Sequence, residues 1–68
     1  MSDEMRISGQ GWSAMARDLM QRRRPFYVDG WDDNLDAKEG NSLAKEFDYD
    51  LALDPGGSKA VFKPKSSN

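Results

Sequence analysis

Residues 47–63 read Phe-Asp-Tyr-Asp-Leu-Ala-Leu-Asp-Pro-Gly-Gly-Ser-Lys-Ala-Val-Phe-Lys, and no other stretch constrains the chain as tightly. Phe47, Tyr49, Leu51 and Leu53 alternate with Asp48, Asp50, Ala52 and Asp54. Successive side chains of a strand point to opposite faces, so this period of two predicts a half-buried strand with one charged face. Asp54-Pro55-Gly56-Gly57 supplies a turn, because proline presets φ and glycine accepts φ > 0 without a clash. Ala60-Val61-Phe62 returns as a second β-prone run. The segment is predicted to be a β-hairpin.

Upstream, the alternation extends through Lys45 and Leu43, which predicts one long strand over about 42–54 paired with a return strand over about 58–63. Residues 32–41 are ambiguous. They read as a short helix capped by Asp32 or Asp33 and stopped at Gly40, or as extended chain turning at Gly40-Asn41.

The N-terminal half carries a different period. Trp12, Met15, Ala16 and Leu19 recur at three- and four-residue steps, and Met20 widens the stripe. An amphipathic helix is predicted over about 11–24, with Ser8 or Ser13 as N-cap. Arg22, Arg23 and Arg24 would lie in its last turn, where cations suit the helix dipole, and Pro25 would end it. Met5-Arg6-Ile7 and Phe26-Tyr27-Val28 read as short strands, and Asp29-Gly30 as a turn. The ends, about 1–5 and 64–68, are polar and expected to be flexible.

The fold class expected is α+β: one helix packed on a small antiparallel sheet, in a single domain over 1–68. Its core would be built from Trp12, Met15, Leu19, Phe26, Val28, Trp31, Phe47, Tyr49, Leu51, Leu53, Val61 and Phe62. A chain of 68 residues buries only about 60% of its unfolded surface, so this core is thin.

Composition narrows the chemistry. There is no cysteine and no histidine, which removes disulfides, thiolate and imidazole metal ligands, and the commonest general base. The carboxylates could form an acid–base pair, but such a pair needs a pocket that drives two pKa values apart, and this core leaves little room for one. No nucleophile elbow and no phosphate-binding P-loop is present. Ser8-Gly9-Gln10-Gly11 is a weak anion-binding signal ahead of a helix. Asp32, Asn34 and Asp36 match the first, third and fifth positions of a calcium loop. Ala37 then stands where glycine is required, and Leu43 where a bidentate glutamate is required. No catalytic residue, cofactor or metal is expected. The polar, acidic N-terminus is unlike a secretory signal, and no apolar run reaches the roughly 20 residues that span a bilayer, so a soluble cytoplasmic protein is expected.

Charge is segregated. Residues 1–28 hold five arginines against three carboxylates, residues 29–54 nine carboxylates against two lysines, and residues 55–68 three lysines alone. An acidic surface formed by Asp29, Asp32, Asp33, Asp36, Asp48, Asp50 and Asp54, with Trp31 as anchor, would attract a basic groove on another protein and could act there as a phosphate mimic. The expected function is therefore non-enzymatic inhibition or modulation of a nucleic-acid-handling protein. In general character the chain resembles small accessory proteins of phages and mobile elements. The alternative is direct nucleic-acid binding, through Arg22, Arg23 and Arg24 with Tyr27, Lys59 and Lys63. The acidic middle segment weighs against it.

Overall fold

In the computed structural model, which describes residues 4–54 and 58–65, the chain runs β1 (Met5–Ser8), α1 (Trp12–Gln21), β2 (Phe26–Asp29), α2 (Asp33–Phe47), β3 (Tyr49–Leu53) and β4 (Lys59–Pro64). The four strands form one sheet in the order β1-β2-β4-β3. The fold is α+β, with the C-terminal strand pair β3–β4 antiparallel. The turn residues 55–57 lie outside the described residues. Met5 and Pro64, expected in the flexible ends, are the outer residues of β1 and β4. No helix among the described residues is long and apolar enough to cross a membrane.

The sheet is mixed rather than wholly antiparallel: β1 and β2 run parallel, with Arg6 beside Tyr27 and Ile7 beside Val28. Two parallel strands need a crossover between them, and α1 is that crossover. It buries Trp12, Ala16 and Met20, one residue per four, against the sheet. Met15, expected in the core, falls outside this stripe and is 55% exposed, while Leu19 lies at its margin. Neither Ser8 nor Ser13 caps α1. Its N-cap is Gly11, at φ 80° and without a side-chain cap. The helix also ends before the arginines. Arg23 N–H bonds the Met20 carbonyl (3.1 Å), and Arg24 N–H bonds the Leu19 carbonyl (3.0 Å). With Arg23 at φ 57°, these bonds make a Schellman closure in which arginine occupies the left-handed site usually given to glycine.

The largest departure from the sequence reading concerns residues 33–47. They form one 15-residue helix, and the strand expected from residue 42 begins only at Tyr49. Ala37, Gly40, Leu43, Ala44 and Phe47 repeat at three- and four-residue spacing, so Leu43 and Phe47, which belong to the period-two alternation, also fit a helix. Asp32 is the N-cap, its carboxylate accepting the Asn34 N–H at 3.0 Å, and Asp33 and Asp36 occupy the first turn. Asp48 ends the helix at φ 62°, a left-handed site that aspartate tolerates better than most residues. Gly40 neither stops nor turns the chain. It is a buried mid-helix position where a Cβ would overlap Cη2 of Trp31.

Both helices cover one face of the sheet. Ile7, Phe26, Val28, Tyr49, Ala60 and Phe62 point into that layer and meet Trp12, Ala16, Met20, Leu43 and Ala44. At the centre Phe26 stacks on Phe62 (4.8 Å), and Trp12 lies 5.3 Å from Trp31. Leu53, also expected in the core, is 47% exposed at the end of the edge strand β3. Phe47 and Leu51 are only partly buried.

Candidate partner-binding surface

The acidic residues separate into two groups. Asp32, Asp33 and Asp36 gather around the N-terminus of α2. Each already has a task inside the fold. Asp32 caps the helix. Asp33 accepts the indole N–H of Trp31 and Asp36 that of Trp12, both at 3.3 Å. Asp36 also accepts the Asp32 backbone N–H at 3.0 Å. These carboxylates fasten the two tryptophans to the first turn of α2 while Asp32 and Asp33 remain exposed. Trp31 itself is 7% exposed, so it is part of the core and not available as a surface anchor.

Leu35 stands in the same turn and is 77% exposed, more than the other exposed large hydrophobics Met5, Met15 and Leu53. It borders a groove of about 420 Å³ between Gly9–Gly11 and the α2 N-terminus, which Asp29, Asp32 and Asp36 also line. Sequence reasoning did not single Leu35 out. Its signal is an apolar residue on the side of α2 that carries Asp32 and Lys38, legible only once the helix is known. Asp32, Asn34 and Asp36 run from a cap into a helix rather than around a loop. Among the described residues no group of three or more carboxylates is placed to hold a metal ion.

The second acidic group lies on the sheet face opposite the helices and is interleaved with cations. Asp29 pairs with Arg6 at 3.0 Å and sits across from Lys59. Asp50 sits across from Lys63, which also reaches Glu4 at 3.8 Å. The Asp54 N–H bonds the Lys59 carbonyl at 3.1 Å, which keeps Asp54 beside that lysine. Tyr27, Val61 and Ala52 form a row through the middle, and the Lys59 ammonium covers the Tyr27 ring at 5.1 Å. Asp48, expected on this face, is instead the exposed C-cap of α2. The single acidic face expected from the alternation is thus divided, and its strand portion is balanced by the protein's own basic side chains.

The nucleic-acid alternative is divided in the same way. Tyr27, Lys59 and Lys63 share the open sheet face, whereas the three arginines cluster behind α1. Arg22 pairs with Asp18 at 3.6 Å. Arg23 donates to the carbonyls of Phe47 and Lys65. Arg24 is exposed, and its carbonyl accepts the Tyr49 hydroxyl at 2.8 Å. Burial raises the pKa of that hydroxyl above its ordinary 10.0, and the nearby Arg23 cation partly opposes the rise.

No family model, curated protein or solved structure matches this chain. The surfaces themselves therefore carry the functional reading.

Proposed function

We propose that the protein is a non-enzymatic binding module that docks on a basic surface of another cytoplasmic protein, of the kind that ordinarily holds nucleic acid, and inhibits or modulates it. One observation carries this reading: Leu35, 77% exposed, stands among the carboxylates of Asp32, Asp33 and Asp36 at the mouth of a groove. A mostly exposed apolar side chain adds little burial to this fold and gains up to about 1.5–3 kcal/mol when a partner covers it. Carboxylates around it accelerate encounter with a basic surface and set orientation. The α2 N-terminus thus replaces both the Trp31 anchor and the strand-borne carboxylates expected from the sequence. Direct nucleic-acid binding is the weaker reading, because Lys59 and Lys63 each sit beside carboxylates that would repel phosphate.

The test uses variants that keep the fold's own hydrogen bonds. Asparagine retains a cap at position 32 and an acceptor at position 33, so Asp32→Asn with Asp33→Asn removes charge alone. Leu35→Ser removes the anchor at a position with little packing to lose. Affinity capture from nuclease-treated lysate, quantified by mass spectrometry, is expected to retrieve a basic protein with the wild type. Recovery should fall at least about tenfold with either variant, the equivalent of about 1.4 kcal/mol. Equal recovery of every captured protein by all three baits would refute the reading.

A further inference from the structure

We propose that two copies of this protein associate through β1, the two strands pairing antiparallel about Met5 to make one continuous eight-stranded sheet. β1 is an edge strand of the sheet, and among the described residues its strand partner is β2 alone. Unpaired strand edges are templates for another strand, and proteins blunt them with short length, charged side chains, proline, bulges or covering segments; β1 is short and carries Arg6, so an opposite charge on the incoming strand is needed. Met5–Ser8 holds no proline, and α1 lies on its face rather than its edge. Beside the edge is a groove of about 360 Å³ between β1 and α1, lined by Met5, Ile7, Met15 and Leu19, with Arg6 and Asp18 also bordering it. Met5 and Met15 are 47% and 55% exposed there, although both are large and apolar.

Charge selects a second copy as the occupant and fixes the register. Residues facing each other across an antiparallel pair share a face, so Glu4 and Arg6 of the open face meet open-face residues of the second copy, and within the described residues the pairing centred on Met5 spans positions 4 to 6. Centring on Arg6 sets arginine against arginine. Centring on Ile7 sets Arg6 against serine. Centring on Met5 sets Glu4 against Arg6 of the second copy, and two-fold symmetry repeats the pair in reverse. Glu4 already turns to this face to reach Lys63, and Arg6 does so to reach Asp29, leaving the Arg6 side chain 63% exposed. The same centre places the two Met5 side chains together on the helix side, closing the two methionine grooves on each other.

The charge register makes the test specific. Sedimentation or light scattering of the wild type, at concentrations up to about 1 mM, is expected to reach twice the 7.7 kDa monomer mass. Glu4→Arg alone sets Arg against Arg, and Arg6→Glu alone sets Glu against Glu, so each should remain monomeric where the wild type dimerises. Mixed in equal amounts they regain both opposite-charge pairs, and native mass spectrometry should find the mixed dimer. Met15→Glu, at an exposed position, should weaken dimerisation at least about tenfold with circular dichroism unchanged. A wild type that stays monomeric throughout, a dimer that survives Arg6→Glu, or a mixture that restores nothing would each overturn the proposal.

Discussion

The guanidinium of Arg23 lies 5.2 Å over the ring of Tyr49 and joins three parts of the chain that are distant in sequence. Its N–H groups donate to the Phe47 carbonyl at the end of α2 and, at 3.0 Å, to the Lys65 carbonyl just past β4. The Tyr49 hydroxyl answers from the opposite side, donating to the carbonyls of Arg24 and Leu19 at 2.8 and 3.4 Å. Arg23 makes these contacts from a left-handed backbone, at φ 57°. A residue placed in the last turn on dipole grounds is instead a clasp between both helices and the sheet.

Arg23→Ala is expected to lose the clasp while keeping the strained backbone. Arg23→Gly loses the same contacts but relieves the left-handed φ, which costs a side-chain-bearing residue about 1 kcal/mol. Urea unfolding should therefore rank wild type above glycine and glycine above alanine, with alanine lower than wild type by about 1–2 kcal/mol. An alanine variant as stable as the glycine one would refute the strain assignment.

Stability should depend on pH through Tyr49. Its folded pKa is raised above 10.0, chiefly by burial, so the unfolded chain releases this proton first as pH rises. The contribution is fully present below pH 10 and is lost as pH climbs from 10 through the folded value. Denaturation midpoints measured from about pH 8 to 11, around the ordinary tyrosine pKa of roughly 10, should fall on the alkaline side, and Tyr49→Phe should flatten that part of the decline. At neutral pH the same variant should lose about 1 kcal/mol from its missing hydrogen bonds.

Gly40→Ala tests the accommodation of Trp31. Helix propensity alone would make alanine about 1 kcal/mol more stable in a helix interior. Here the added methyl would overlap Cη2 of Trp31 and press on Cζ of Phe62 at 3.3 Å. Trp31 has little room to retreat, with Trp12 5.3 Å and Phe62 6.0 Å away between ring centroids. Net destabilisation of about 1–3 kcal/mol is expected, with a change in tryptophan fluorescence. A raised melting temperature would show that the indole moves freely.

Asp32→Ala should cost about 1 kcal/mol by removing the N-cap of α2, and Asp32→Asn should restore most of it. Thermal unfolding of the two variants side by side checks this. Equal loss in both would point to the charge of Asp32 rather than to its hydrogen bond.

The groups brought together at the α2 N-terminus show why the candidate surface was only half legible in the sequence. Asp32, Asp33 and Asp36 were recognisable as acids in a charge-dense segment. That they would hold the indoles of Trp12 and Trp31 follows only from α2 crossing the aromatic layer. Trp31 beside a turn among acids looked like an anchor, yet Gly40 opens a slot for it within the core. Lys59 and Lys63, nucleic-acid-binding candidates from the sequence, have Asp29 and Asp50 set beside them by strand pairing.

Local pattern by itself determined that α1 exists, that Pro25 follows its end, that short strands form around Met5-Arg6-Ile7 and Phe26-Tyr27-Val28, each one residue longer in the structure, and that the C-terminal strands pair. Periodicity and backbone stereochemistry act over a few residues, so the chain carries those answers locally. Only the tertiary structure decided that residues 42–47 join a helix, that β1 runs parallel to β2, and which charges neutralise one another. A run such as Leu43-Ala44-Lys45-Glu46-Phe47 fits either period, and the choice falls to whichever arrangement buries Leu43, Ala44 and Trp31 together, a quantity that depends on residues far away in sequence.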